Sequence, residues 1–149
     1  MATLEQQIQK DIMEAKKAKD NVRLNAVRAI KSAILLEKTS GNGTEITDGT
    51  IQKVIQKLVK QRKEAAEMYT QAGRQELADN EIAEATAMEV YLPKQLSEAE
   101  VEDILKAIIA EVGASKPSDM GKVMGVATKK LAGQAEGKLI STLVKKLLA

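Results

Sequence analysis

The chain has no cysteine and no histidine. Without thiols it cannot form disulfides, a thiolate nucleophile, a CxxC redox pair, or Cys-ligated zinc and iron–sulfur centres. Without imidazole, Ser-His-Asp hydrolysis, His-ligated metals and imidazole acid–base catalysis are also excluded. Aromatic residues are reduced to Tyr69 and Tyr91, and the C-terminal third has none, so stacking of unpaired bases has no platform there. No apolar run approaches the roughly 20 residues needed to span a bilayer. The first residues, MATLEQQIQKDIMEAKK, lack a continuous apolar signal core, and on that reading a cytoplasmic location is expected. The chemistry left to the chain is that of carboxylates, lysine, tyrosine and serine.

What is present suits helices. Of 149 residues, 44% are hydrophobic and 30% charged, a balance typical of a folded protein. The apolar set is Leu, Ile, Val, Ala and Met, which packs well between helices, whereas strands favour aromatic and β-branched runs. Leu4, Ile8 and Ile12 recur every four residues; Leu24, Val27, Ile30 and Ile34 recur every three or four. Asp20 or Asn21 caps the second of these segments. A polar stretch from Thr39 to Asp48 reads as a loop; its Asn42-Gly43-Thr44 matches a glycosylation acceptor by chance. A third helix carries Ile51, Val54, Ile55, Leu58, Val59 and Tyr69 on one face and ends near Gly73. A fourth, from about Gln75 to Val90, is expected to bury Leu77, Ala78, Ile82, Ala85 and Met88 before Pro93. Ser97 and Glu100 form a capping box opening a helix through Val101, Ile104, Leu105, Ile108, Ile109 and Val112, closed by Gly113. Two shorter helices, about Asp119 to Leu131 and Lys138 to the end, complete the chain. No strand is expected. The fold class is all-α: an N-terminal bundle of about four helices, residues 1–93, and a three-helix unit, residues 94–149.

Charge is unevenly divided. From Gly113 onward seven lysines face only Asp119 and Glu136, a net of +5, while the preceding residues carry 16 basic and 19 acidic side chains, a net of −3. Such a cationic tail favours an anionic partner. Lys122 and Lys129 are seven apart on one helix, as are Lys138 and Lys145 on the next, so each pair shares a face. Lys130 adds to the first. Gly121 and Gly125, four apart, strip side chains from one line of that helix, allowing either close helix packing or the approach of a phosphate. The candidate nucleic-acid-binding residues are therefore Gly121, Lys122, Gly125, Lys129, Lys130 and Lys138, contacting backbone and shape.

Other constellations carry less. Gly133 to Lys138 departs from a phosphate loop by one missing residue, by Leu139 where Ser or Thr belongs, and by the absence of a preceding strand. Glu98, Glu100, Glu102 and Asp103 lie in first turns, where the helix dipole favours negative charge. Glu81 and Glu84 have the spacing of a helical metal site but no histidine beside them. Arg62 falls inside the apolar face of its helix and needs a partner, with Glu81, Glu84 and Glu37 as candidates. Lys31 intrudes similarly on the second helix, with Arg28 at the edge. Ion pairs and a recessed functional patch both remain open for these three. No catalytic residue, cofactor site or metal site is identifiable.

Several stretches together resemble a known family. Val27-Arg28-Ala29-Ile30-Lys31-Ser32-Ala33-Ile34, Lys60 to Glu64, Gly73-Arg74, Glu89-Val90-Tyr91-Leu92-Pro93 with Gln95-Leu96, and Ser118-Asp119-Met120-Gly121-Lys122-Val123-Met124-Gly125 look like the YqeY-like proteins, across essentially the whole chain. The C-terminal unit of that family is similar to the tail of GatB, the tRNA-engaging subunit of the glutamine-dependent Asp/Glu-tRNA amidotransferase. The resemblance implies an all-helical N-terminal domain joined to a GatB/YqeY-type module. It also implies association with carbon–nitrogen ligase activity using glutamine as amido donor, the chemistry belonging to other domains. The expected partner is tRNA or a tRNA-handling enzyme, with Lys122, Gly121 and Gly125 on matched positions. The alternative is a protein–protein adaptor that makes no RNA contact.

Overall fold

The computed structural model describes residues 3–40 and 45–149; the Asn42-Gly43-Thr44 match lies outside them. Among the described residues every regular element is helical: α1 (Thr3–Ala18), α2 (Asn21–Thr39), α3 (Asp48–Gln71), α4 (Gln75–Glu89), α5 (Glu98–Val112), α6 (Met120–Lys130) and α7 (Gly137–Leu148), with a 3₁₀ turn at Pro117–Asp119 before α6. The chain separates into two compact units, Met1–Leu92 and Pro93–Ala149.

In the first unit, α3 and α4 form the most extensive pair, α2 packs on α1 and α4, and α1 on α3. Their apolar stripes close a core of Ile8, Ala26, Val27, Ile30, Ile34, Ile51, Ile55, Val59, Ala85 and Met88. Each large side chain fully buried there contributes about 1.5–3 kcal/mol. Local signals fix the helix ends. Asp20 accepts a hydrogen bond from the Arg23 amide at 3.1 Å, and Thr47 from the Thr50 amide at 3.2 Å, each satisfying a donor that the first turn leaves free. Gly73 takes φ 75° after α3, the left-handed geometry that favours glycine. At the end of α1 the same region is occupied by Lys19, with φ 55°. α4 departs from expectation: Ala78, Ala85 and Met88 are buried, but Leu77 and Ile82 are 43% and 45% exposed. The small residues Ala78 and Ala85 seat α4 against its neighbours, which turns those two flanking side chains outward.

In the second unit α5, α6 and α7 surround Val101, Leu105, Ile108, Val123, Ala127, Leu131, Ile140, Leu143, Val144 and Leu148. The Ser97 hydroxyl accepts from the Glu100 amide at 3.2 Å and the Glu100 carboxylate from the Ser97 amide at 3.1 Å, completing the capping box. These bonds hold the Glu100 carboxyl below the usual range. Gly113 closes α5 with φ 71°.

The junction is anchored at both ends. Tyr91 Oη donates to Asp11 Oδ2 on α1, and Asp11 also accepts from Gln7 Nε2 at 2.9 Å and lies 3.3 Å from the Arg23 guanidinium. Beyond Pro93, Gln95 Nε2 donates to the carbonyls of Pro93 at 2.9 Å and Gly133 at 2.6 Å, and the Leu96 amide donates to the Gln134 carbonyl at 3.0 Å. The Tyr-Leu-Pro-x-Gln-Leu motif therefore ends one unit with its tyrosine and starts the next with its glutamine.

Candidate nucleic-acid interface

The site is built on α6. Its entry is set by Asp119, whose carboxylate accepts from the amides of Ser115 at 3.0 Å and Lys116 at 3.3 Å. The Ser115 bond is the main reason this carboxyl lies below its usual range, with the Lys116 amide and the charges of Lys122 and Lys116 adding to it. Val123 and Ala127, four apart, are buried against α5 and α7. The opposite arc of the helix must then face outward. It carries Gly121, Lys122, Gly125, Val126, Lys129 and Lys130, and these six line a shallow concavity of ≈ 650 Å³.

The structure brings together five of the six expected residues. Lys138 is exposed on the first turn of α7 and does not line the concavity. Val126, 37% exposed, is the residue that charge and glycine counting missed; its position one turn before Lys129 and Lys130 was the available signal. The close-packing reading of the glycine strip does not hold within the chain. A Cβ placed on Gly121 or Gly125 would meet nothing within 4 Å. The strip is open, and no other helix among the described residues uses the space.

Helix electrostatics distinguish the lysines. Lys129 and Lys130 lie in the last turn of α6, where free carbonyls favour cations. Lys122 lies in the first turn, at the end that disfavours them, with Asp119 supplying the nearby negative charge. None of these three has an ion-pair partner among the described residues, whereas Lys146 on α7 reaches Glu102 at 4.0 Å.

The N-terminal cations separate into two groups. Arg62 is an ion-pair residue: its Nε lies 3.2 Å from Glu84 and 3.9 Å from Glu81, and Asn80 Nδ2 donates to the other Glu84 oxygen at 3.1 Å. Glu37 takes no part. Glu84 is only 8% exposed, so the guanidinium is what makes its burial tolerable. Arg28 and Lys31 are neither recessed nor intruding on the core; both are exposed, because the buried arc of α2 is centred on Ala26, Val27, Ile30 and Ile34. Among the described residues no cluster of three or more acidic side chains could hold a metal ion, and no helix is long and apolar enough to cross a membrane.

The described residues are all-helical, with an outward face on α6 that carries lysines and bare glycines and a Tyr-Leu-Pro-x-Gln-Leu motif where one unit ends and the next begins, which defines the class as a small all-α protein. The chain belongs to the Yqey-like protein family, whose model matches residues 5–148. It is 27% identical over 113 residues to altered inheritance of mitochondria protein 41, mitochondrial, of Lachancea thermotolerans, covering 74% of this chain and 60% of that protein. The protein of the same name from Pyrenophora tritici-repentis is 28% identical over 131 residues, 86% of this chain and 71% of its own length. A glutamyl-tRNA(Gln) amidotransferase subunit from Thermococcus gammatolerans is 34% identical over 105 residues, 68% of this chain and 17% of that much longer protein. The chain thus spans about three fifths of the first of these relatives and a small part of the last. The expected cytoplasmic location is overturned by these matches: the fungal relatives are mitochondrial proteins by name. A missing apolar signal core speaks to secretion and does not separate cytoplasm from organelle.

Proposed function

We propose that the protein binds tRNA through the outward face of α6, with residues 94–149 acting as a three-helix module of the GatB/YqeY type and residues 1–93 as a helical bundle that presents it to a tRNA-handling enzyme. The observation that carries this reading is the open glycine strip. A glycine inside a helix costs about 0.8–1 kcal/mol relative to alanine, and among the described residues a Cβ at Gly125 would meet nothing within 4 Å, so no close packing there offsets that cost. A ligand backbone approaching α6 closely does offset it, and Lys122, Lys129 and Lys130 around the same concavity suit phosphate. The similarity to an amidotransferase component whose name includes glutamyl-tRNA(Gln) supports the choice of RNA. Any part in carbon–nitrogen ligation with glutamine as amido donor is by association: the catalytic groups belong to the partner, and the reading requires no cofactor in this chain.

The test is binding of labelled tRNA across a salt series. Wild-type affinity falls as salt rises, and Lys122→Glu with Lys129→Glu abolishes binding at low salt. Absence of binding at low ionic strength, or an unchanged double variant, removes the proposal. A second reading, a protein–protein adaptor without RNA contact, draws on the exposed Val126 beside the same strip. It requires a protein partner whose retention survives salt.

A further inference from the structure

The body that precedes the lysine-rich tail carries a net of −3, but the fold does not spread that charge evenly. Residues 1–44 hold eight basic and five acidic side chains, a net of +3; residues 45–92 hold six basic and nine acidic, a net of −3. The first unit is therefore polarised between the α1–α2 hairpin and the α3–α4 pair.

Within the hairpin four of the five acids are turned to internal use, and the fifth, Glu37, is exposed near the end of α2. Glu5, 7% exposed, pairs with Lys38. Asp11, 5% exposed, is held by Tyr91, Gln7 and Arg23, and Glu14 lies 3.6 Å from the same guanidinium. Asp20 caps α2. The cations face the other way. Lys10, Lys16, Lys17, Lys19, Arg28 and Lys31 are all exposed, and none has an ion-pair partner among the described residues. Lys10 and Lys17 are seven apart on α1 and point within about 20° of each other, separated by about 10 Å along the axis. Arg28 and Lys31 stand one turn apart on the outward face of α2, which carries no acid between Asn21 and Ser32.

Resting on the tRNA reading above, we propose that the outward faces of α1 and α2 form a second anion-binding surface, and that its ligand is the phosphate backbone of the same structured RNA. Charge complementarity is the argument. Six unpaired cations are spaced along two helices, as suits a continuous polyanion. A docked acidic peptide would call for a groove, whereas two well-formed concavities among the described residues lie elsewhere, on α6 and at the Ala72–Leu77 turn. Each neutralised phosphate releases a counterion, so the surface acts mainly through affinity and its salt dependence.

The experiment compares four forms of the 149-residue chain: wild type; a hairpin variant with Lys10→Gln, Lys17→Gln, Arg28→Gln and Lys31→Gln; an α6 variant with Lys122→Gln, Lys129→Gln and Lys130→Gln; and both sets combined. Circular dichroism melts establish that the exposed substitutions leave the fold intact, and Lys→Arg at the same hairpin positions preserves charge as a second control. An in vitro transcribed tRNA is the probe. The log–log salt slope of the hairpin variant is expected to be shallower by about 0.7–0.9 per cation removed, near three in all, with affinity at low salt down at least tenfold and the Arg control binding as wild type. A hairpin variant that superimposes on wild type while the α6 variant loses binding overturns this inference and leaves the first reading standing. Loss only in the hairpin variant does the reverse. If poly-L-glutamate competes for the hairpin as strongly as RNA, the ligand is an acidic polypeptide and the assignment to RNA is wrong.

Discussion

Tyr91→Phe tests the network that ties the end of the first unit to its first helix. The substitution keeps the ring and removes the one hydroxyl, so it deletes the bond from Tyr91 Oη to Asp11 Oδ2 and little else. Asp11 is 5% exposed and keeps Gln7 Nε2 at 2.9 Å and Arg23 at 3.3 Å, so the substitution leaves one of its acceptor oxygens less satisfied. A hydrogen bond to a charged group contributes about 1.5–3 kcal/mol, and in a domain of under 100 residues each kcal/mol moves the melting midpoint by about 4–8 °C. A fall of roughly 6–24 °C in the midpoint of the first unit is expected on that scale. Burial, followed by the Asp11 bond and charge, raises the Tyr91 phenol above its ordinary value of 10.0, while the Arg23 charge opposes the rise. The phenol must stay protonated to donate. Its contribution is therefore full below the ordinary tyrosine range and is lost as pH rises through it toward the folded value. Urea titrations at neutral and strongly alkaline pH, with Asp11→Asn and the double variant closing a cycle, measure both effects. A Tyr91→Phe variant within about 0.5 kcal/mol of wild type, or one whose stability declines in alkali as wild type's does, refutes the reasoning.

Gly125→Ala is expected to stabilise the second unit by about 0.8–1 kcal/mol, because its Cβ enters open space; Gly125→Leu folds equally well and weakens tRNA binding, so calorimetry and a binding titration together separate fold from surface. Lys19→Gly relieves a lysine held at φ 55° and raises stability by up to about 1 kcal/mol, read from a thermal melt; a loss would show that the lysine is not strained there. Ser97→Ala removes the hydroxyl of the α5 capping box and costs about 0.5–2 kcal/mol, seen in urea denaturation. The Glu100 and Asp119 carboxyls are held below their usual range, so their contribution is present above the ordinary carboxylate range and declines as pH falls through and below it; an acid titration of the full chain, followed by the amide signals of α5 and α6, that shows no such decline would contradict the bonds described.

Local chemistry was the most legible part of the sequence. The Ser97 and Glu100 pair, the glycines at 73 and 113, and the aspartate at 20 act within one turn of their own position, so their spacing sufficed to place helix ends. Periodicity found the apolar stripes of α3 and α5. It failed on α4, where Leu77 and Ile82 face outward, because alanines set the packing face and carry too little hydrophobicity to mark it. It also misplaced Arg28 and Lys31, since the buried arc of α2 is narrower than its apolar letters suggest. Bonds between distant residues were legible where a charge inside an apolar face demanded a partner, as for Arg62 with Glu81 and Glu84, but Tyr91 and Asp11 are 80 positions apart, and no spacing rule joins them. In the candidate site, Gly121, Lys122 and Gly125 came from positions that match the family and Lys129 and Lys130 from charge, with helical spacing placing Lys122 and Lys129 on one face, whereas the open space over the glycines required neighbours that only the fold supplies.

Under the proposed tRNA function, the bare strip on α6 sets heat resistance and ligand recognition against each other at a single codon. A laboratory selection that rewards only survival at high temperature would fill position 125 with alanine or something larger, since the change meets no obstacle inside the molecule. Lineages improved in that way would come out sturdier and, on that proposal, mute, their toughness gained at the spot assigned to another molecule.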